Sequence, residues 1–173
     1  FLCVTDRVVE FQARVRVQLR HKRDRDRLRR LRAERDNFRR EAVVDALTGV
    51  PNRRATDARV EEAWSSGTPF SVVFVDVDDF KSVNDTYGHA LGDVVIKGLG
   101  AVLSRCRRET DAVARFGGEE FVIVCEETDT RGAWQLAERI REELQRQTFA
   151  TEMGPLRVTC SLGISAYPTD GSD

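Results

Sequence analysis

The run at residues 115–121, Arg-Phe-Gly-Gly-Glu-Glu-Phe, constrains the fold more than any other part of the chain. It joins two stretches with strand character, residues 111–116 and 121–125, and a Gly-Gly pair between such stretches predicts a β-hairpin. Glycine there admits positive φ and leaves room for a ligand, because no Cβ intervenes. Adjacent carboxylates at the tip, Glu119 and Glu120, suit either an ordinary charged turn or a divalent metal that carries a nucleotide phosphate.

A second acidic cluster favours the metal. Residues 70–75 are almost continuously apolar and rich in β-branched side chains, the pattern of a strand buried on both faces. Asp76, Asp78 and Asp79 follow that strand directly, and ligands of open α/β sheets collect at strand ends. If the fold places this strand beside the hairpin, Asp76 and Glu119 hold one metal pair from two sides, the apparatus of phosphoryl or nucleotidyl transfer.

Three separated motifs resemble the GGDEF domain of diguanylate cyclases, which make cyclic di-GMP from two GTP. Residues 45–54 resemble the family's D-x-L-T-G-L-x-N-R-R opening, with Val50 where Leu is usual. Residues 76–93 resemble its D-x-D-x-F-K-x-x-N-D-x-x-G-H-x-x-G-D block, and residues 117–121 are its signature in the GGEEF form. The resemblance spans residues 43–168, with order and spacing in agreement.

The resemblance implies two Mg²⁺ or Mn²⁺ ions per active site. Asp76 would bind both ions, together with the backbone carbonyl of Val77. Glu119 would be the second metal carboxylate and would help to deprotonate the attacking 3′-hydroxyl. Glu120 would lie beside it and support the metal or the base.

The same resemblance implies how GTP binds. Asn84 and Asp93 would hydrogen-bond the guanine edge, where a carboxylate accepts from the N1–H and the 2-amino group that adenine lacks. Backbone amides around Phe80, with the Lys81 ammonium, would hold the β- and γ-phosphates. Gly117 would let the hairpin approach the nucleotide.

The implied reaction is a nucleotidyl transfer performed twice, in which a 3′-hydroxyl attacks an α-phosphate and pyrophosphate leaves. One domain holds one GTP, so the family needs two domains face to face. The family's inhibitory product site is an R-x-x-D sequence, which Arg108 and Asp111 reproduce five residues before the first signature glycine. Arg139 would add a contact from a neighbouring subunit. The alternative for Arg108 and Asp111 is a surface ion pair.

Residues 7 to about 46 contain no Gly or Pro and are rich in Arg, Leu, Glu and Ala, which predicts a long helix. Apolar residues recur at alternating threes and fours, interrupted by polar side chains, as in an imperfect coiled-coil seam. An Arg-rich helix also suits DNA or anionic lipid, but interleaved acids and the seam favour a homodimer. The seam residues are Val17, Leu28, Leu31, Phe38 and Ala42.

Residues 8–20 resemble the last helix of a response-regulator receiver domain, which implies two-component signalling through an upstream phosphoacceptor domain. We therefore divide the chain into residues 1–44, a helical linker or coiled coil that ends an upstream signalling domain, and residues 45–173, a GGDEF domain. The resemblance implies a further C-terminal helix and strand that this sequence lacks.

Composition excludes some classes of function. The sequence has no apolar stretch long enough for a membrane span and no signal-peptide pattern. Residues 1–44 carry twice as many basic as acidic side chains, whereas the remainder is acidic, which argues against a nucleic-acid polymerase. Scattered cysteines without CxxC spacing fit a reduced, cytoplasmic setting. Cys106, Cys125 and Cys160 are expected in the core.

The expected fold is an α+β domain with a central, mainly antiparallel sheet flanked by helices, a layout that the family shares with nucleotidyl cyclases and polymerase palms. The expected function is a diguanylate cyclase. Two alternatives stay open: a module that binds GTP or cyclic di-GMP without making product, and a coiled-coil signalling scaffold. The predicted helices cover about 52–65, 79–87, 90–107 and 131–147, and the predicted strands cover 70–77, 111–116, 121–126 and 156–167, with a bulge at Gly163.

Overall fold

A computed structural model describes residues 43–171, together with residues 21, 22, 25 and 27–29. The chain divides into two units, residues 1–42 and 43–173. The few described residues of the first unit are helical, and the seam and the receiver-like stretch otherwise lie outside the described residues. The long helix does not reach residue 46 as expected, because residues 43–46 are not helical and Val44 pairs with Pro51 as an isolated bridge.

The second unit is built on a four-stranded sheet in which all strand pairs are antiparallel. Its strands, in spatial order, are β2 Ala112–Gly117, β3 Glu120–Glu126, β1 Phe70–Val77 and β6 Cys160–Tyr167. The continuous apolar run of β1 places this strand in the centre, where both of its faces are covered. Val73 and Val75 are completely buried on one face.

Helices cover both faces of the sheet, which confirms the predicted α+β architecture. The helices are α1 Arg53–Ser66, α2 Phe80–Tyr87, α3 His89–Cys106 and α4 Thr130–Arg146. α3 and α4 pack on the face that carries Val73 and Val75 and form the larger core, whereas α1 packs on the opposite face against Val122 and Val124. One face of α4 is apolar and buried along the helix, at Ala133, Leu136, Ala137, Ile140 and Leu144. No helix of the described residues is long and apolar enough to cross a bilayer.

The segment after α4 differs from the expected single strand. A short hairpin of β4 Phe149–Thr151 and β5 Gly154–Leu156 precedes β6, and strands of three residues are too short for periodicity to reveal. The bulge expected at Gly163 is wrong, because β1 and β6 pair without interruption and Gly163 lies opposite Phe74.

Candidate active site at the hairpin and the end of β1

The β2–β3 hairpin turns through Gly118 and Glu119, one residue later than the Gly-Gly pair suggested. Gly117 still belongs to β2 and pairs with Glu120, and Gly118 has a positive φ of 49°. The register shifts between Arg115 and Gly117, so one residue bulges from β2 and the two-residue turn moves forward. Glu119 therefore lies at the hairpin tip and Glu120 begins β3.

Strand pairing brings the second acidic cluster to this hairpin. Asp76, near the end of β1, is the direct Cα partner of Glu120 in β3 and of Ser161 in β6. Directly opposed residues of antiparallel strands present their side chains on the same face of the sheet. Two acidic segments more than forty residues apart in sequence thus meet at one end of the sheet.

The pKa of Asp76 reflects the proximity of these acidic side chains. Burial raises the pKa of the Asp76 carboxyl above its ordinary value, and the nearby charges of Glu119, Glu120 and Asp78 raise it further. Carboxylates of like charge disfavour one another's ionised form, so the cluster favours a cation. No charged nitrogen lies within ion-pair distance of Asp76 in the part of the chain that the structure describes.

Asp78 has a different environment from Asp76, and the sequence indicated it only as one member of the acidic cluster. Its two carboxylate oxygens accept hydrogen bonds from the Thr159 hydroxyl at 2.6 Å and from the Ser161 hydroxyl at 2.5 Å. Its backbone amide donates to the Thr159 carbonyl. Asp78 therefore ties the start of β6 to the end of β1, beside the acidic cluster.

Arg115 fastens the hairpin tip to the beginning of the domain, a contact that sequence reasoning also missed. Its Nη1 donates to both carboxylate oxygens of Asp45, while its Nε and Nη2 donate to the carbonyl of Gly118. Asp45 also accepts from the amide and the hydroxyl of Thr48. The sequence shows an arginine just before the two glycines, but it does not indicate the partner, Asp45, which lies 70 residues away.

These contacts control the ionisation of Asp45. Burial by itself would raise the pKa of its carboxyl, but the hydrogen bonds from Thr48 and from Arg115 lower it below the ordinary value. Asp45 thus stays charged at neutral pH and remains an ionic partner of Arg115.

The groups expected to bind phosphate lie at the start of α2, which directly follows the acidic end of β1. Asp79 precedes the helix with a left-handed φ of 52°, and no side chain of the described residues caps this N-terminus. The first helical residues are Phe80, which packs against the core, and Lys81, which is exposed. Uncapped amides beside a lysine provide the donors that a phosphate needs.

The residues expected to contact guanine lie on two neighbouring helices. Asn84 lies half-buried in α2, and Asp93 lies exposed in the first turns of α3. Gly92, the residue before Asp93, faces the Asn84 side chain at close range. The structure thereby places both polar groups at the α2–α3 junction.

Arg108, Asp111 and Arg139 line one cavity of about 40 Å³ away from the acidic cluster. Asp111 is only 4% exposed, and its Oδ2 accepts from the Arg108 amide at 2.8 Å, whereas its buried Oδ1 has no hydrogen-bond partner in the described part of the chain. Arg139 lines this cavity beside Arg108 of the same chain, and its Nη2 donates to the carbonyl of Cys106. The contact expected from a neighbouring subunit stays a prediction. The ion pair proposed as the alternative is absent among the described residues, because the Arg108 contact to Asp111 is made by its backbone.

The acidic cluster fits a divalent metal only with help from a ligand. Within residues 43–171 and the few described residues before them, no group of three His, Cys, Asp or Glu side chains is placed to hold an ion. Asp76 and Glu119 supply hard oxygen donors, which suit Mg²⁺ or Mn²⁺ when substrate phosphates complete the shell. The mutual repulsion around Asp76 is the observation that favours such an ion.

Comparison with known proteins identifies the family. A model described as diguanylate cyclase, GGDEF domain, matches residues 42–173. The response regulator PleD of Caulobacter vibrioides is 39% identical over 168 residues, which cover 94% of this chain and 36% of PleD. The diguanylate cyclase DgcP of Pseudomonas aeruginosa is 39% identical over 76% of this chain and 20% of its own length.

A solved structure gives the same answer for the fold. The GGDEF domain of DgcB from Caulobacter crescentus in complex with c-di-GMP superimposes with a TM-score of 0.69 at 30% identity, covering 76% of this chain and 81% of that one. The chain spans only about a third or less of the length of the relatives PleD and DgcP. By sequence and by fold, it belongs to the diguanylate cyclase GGDEF domain family.

Proposed function

We propose that this protein is a diguanylate cyclase, which condenses two GTP into cyclic di-GMP and releases two pyrophosphates. The observation that carries the proposal is the pairing of Asp76 with Glu120 across β1 and β3, with Glu119 at the adjacent hairpin tip. This arrangement collects hard oxygen donors beside an uncapped helix N-terminus, and both are features of a nucleotide triphosphate site.

In this proposal Asp76, the Val77 carbonyl and Glu119 hold two Mg²⁺ or Mn²⁺ ions. The ions, when bound, lower the pKa of the attacking 3′-hydroxyl and neutralise charge on the α-phosphate. Glu119 receives the hydroxyl proton, and Glu120 supports it from the first position of β3. Gly117 has no side chain, which lets the hairpin lie against the nucleotide.

The remaining substrate contacts follow from the neighbouring helices. Amides around Phe80 and the Lys81 ammonium hold the β- and γ-phosphates, since no side chain of the described residues competes for this helix N-terminus. Asn84 and Asp93 bind the guanine edge. A carboxylate that accepts from the N1–H and the 2-amino group discriminates against adenine, which offers neither donor.

The active species is a homodimer, because each domain supplies one GTP and the two reacting nucleotides must face each other. The coiled-coil seam of the N-terminal helix would join the two copies. A receiver domain upstream of this helix would control how the two sites meet, a proposal supported by the likeness to PleD, whose name is that of a response regulator. A reduced, cytoplasmic setting suits both the substrate and the buried free thiols.

Product inhibition acts at the cavity of Arg108, Asp111 and Arg139. The buried Oδ1 of Asp111 has no partner among the described residues, and a guanine N–H of cyclic di-GMP would supply one. The two arginines would stack on a base or bind a phosphate. The DgcB structure, which holds c-di-GMP, supports this reading by its likeness in fold.

The enzyme proposal is tested by incubating the full chain with GTP and Mg²⁺ and separating the nucleotides by chromatography. We expect cyclic di-GMP and pyrophosphate from the unsubstituted chain and none from Asp76→Asn. GTP binding without product would instead favour the non-catalytic binding module. A monomer in sedimentation at concentrations that give product would remove the homodimer.

The inhibitory site has its own test. Arg108→Ala should relieve inhibition by added cyclic di-GMP while leaving the initial rate unchanged. Arg105→Ala, an exposed position one turn earlier, is the matched control and should keep the inhibition. Equal inhibition in both variants would remove the product site from this cavity.

A further inference from the structure

Helix α3 passes the side chain of Asn84 so closely that only glycine fits at the point of contact. A Cβ added to Gly92 would lie 2.0 Å from Asn84 Oδ1 and 3.1 Å from its Cγ. The same Cβ would lie 3.2 Å from Cζ of Phe80. Gly92 is buried at this contact.

Packing rather than hydrogen bonding fixes the Asn84 amide. Within the described part of the chain, the side chain of Asn84 makes no hydrogen bond, although its backbone carbonyl accepts from Gly88. The amide lies against the bare backbone of Gly92. Its donor and its acceptor therefore both remain available to a ligand.

We propose that Gly92 is a positioning residue for base recognition: it admits the Asn84 amide to the place beside Asp93 from which both groups reach one purine base. This inference rests on the proposed function and extends it to a residue that touches no substrate. An amide and a carboxylate side by side offer acceptors for two N–H donors and one donor for a ring nitrogen or a carbonyl. Guanine presents donors on two adjacent groups, N1–H and the 2-amino group, together with acceptors, whereas the 6-amino group is the only N–H donor on the edges of the adenine base.

If the role of Gly92 were purely structural, Gly92→Ala would lower the stability of the fold. A positioning role predicts no such loss. The atom that an added methyl group would strike is the far end of a flexible side chain, so Asn84 can rotate away while the helix stays intact. Alanine also favours the helix more than glycine does. We therefore expect Gly92→Ala to fold with an unchanged or higher melting temperature and with a displaced Asn84.

The experiment is a double-mutant cycle on the full chain with Gly92→Ala, Asn84→Ala and both together. We expect Gly92→Ala to raise KM for GTP roughly tenfold, the loss of about one hydrogen bond to a polar group, with kcat changed far less. The double variant should bind GTP no worse than Asn84→Ala alone, because the methyl group then has nothing to displace. Gly98→Ala is the control in the same helix, since its Cβ would strike the Phe149 ring at 2.6 Å, and it should lower stability without raising KM.

Either of two results would overturn this inference and leave the proposed function standing. One is an unchanged KM in Gly92→Ala, and the other is additive effects of the two substitutions in the double variant. Calorimetric titration with a non-hydrolysable GTP analogue measures the same cycle without turnover. If the unsubstituted chain neither binds the analogue nor converts GTP, the proposed function fails and this inference falls with it. If the unsubstituted chain turns over GTP normally but one of the two results above is found, only the inference on Gly92 fails.

Discussion

Arg115 and Asp45 form an ion pair, with Arg115 Nη1 at 3.1 and 3.2 Å from the two carboxylate oxygens, while the rest of the same guanidinium binds the Gly118 carbonyl. Both side chains are about four-fifths buried. The residue that opens the domain is thereby connected through one side chain to the turn that carries Glu119. A planar fork is needed for this double contact, and a lysine ammonium cannot reproduce it.

Arg115→Lys should therefore loosen the hairpin tip while keeping the charge. We expect a loss of about 1–2 kcal/mol in the free energy of unfolding and a reduced kcat, because Glu119 is no longer held in place. Urea denaturation and initial rates measure the two effects. Arg141→Lys, in an exposed pair with Glu138 on α4, is the control and should leave the free energy of unfolding nearly unchanged, because solvent screens an exposed ion pair. Equal effects of the two substitutions would contradict the prediction.

The lowered pKa of Asp45 predicts a specific loss of stability in acid. Since the folded-state pKa lies below the ordinary value of 3.8, the contribution is present above that value and disappears as the pH falls through the folded-state pKa. The difference in unfolding free energy between the unsubstituted chain and Asp45→Asn should be constant from about pH 5 to 7 and should shrink below about pH 4. Urea denaturation at a series of pH values tests this. A difference that grows in acid would show that the sign is wrong.

The raised pKa of Asp76 predicts that its ionised carboxylate destabilises the fold, the opposite of the effect of Asp45. Its folded-state pKa lies above 3.8, so the ionised carboxylate opposes folding at neutral pH unless a cation is bound. Without divalent ions, Asp76→Asn should be as stable as the unsubstituted chain or more stable, by up to roughly 1 kcal/mol. Millimolar Mg²⁺ should stabilise only the unsubstituted chain, as mass action requires of an ion that binds the native state. Glu61→Gln, an exposed change on α1, is the control for charge alone.

If Mg²⁺ stabilises Asp76→Asn and the unsubstituted chain to the same extent, the ion does not bind at the end of β1. If Asp76→Asn is less stable in the absence of divalent ions, Asp76 has a favourable partner instead of the repulsion inferred here. Both outcomes are read from the same melting curves.

The buried thiols should resist modification in the native protein. Burial raises the pKa of Cys125 and of Cys160 to about 12, and burial also raises that of Cys106. Since the thiolate is the reactive form, iodoacetamide at about pH 8 should leave these residues unmodified until denaturant is added. Peptide mass spectrometry locates the label. Rapid native labelling of Cys125 would contradict its burial in the sheet.

The sequence predicted the elements of the site better than its connections. The hairpin at residues 115–121 and the strand at 70–77 were predictable because turn chemistry and continuous apolar runs are local properties. The short hairpin at 149–156 was missed because three-residue strands contain no measurable period. The bulge at Gly163 was wrong because Phe74 pairs with this glycine in regular register.

The roles of Asp78, Arg115 and Gly92 depend on partners that no local pattern indicates. Asp78 was expected only as one of several acidic residues, yet its two hydroxyl partners, Thr159 and Ser161, lie more than eighty residues later, around the start of β6. The packing of α4 brings Arg139 beside Arg108 of its own chain, a proximity that the sequence does not indicate. The contact expected from a neighbouring copy stays a prediction.

The sequence by itself determined the family, the hairpin, the buried central strand and the presence of two acidic segments, because residue type and spacing encode each of these locally. Only the tertiary structure decided that Asp76 lies opposite Glu120, that Arg115 joins Asp45 to the turn, and that Asn84 rests on Gly92. Strand order and register are set by the simultaneous packing of both sheet faces. A one-residue slip would move every side chain to the other face, and that long-range choice is absent from any single stretch of sequence.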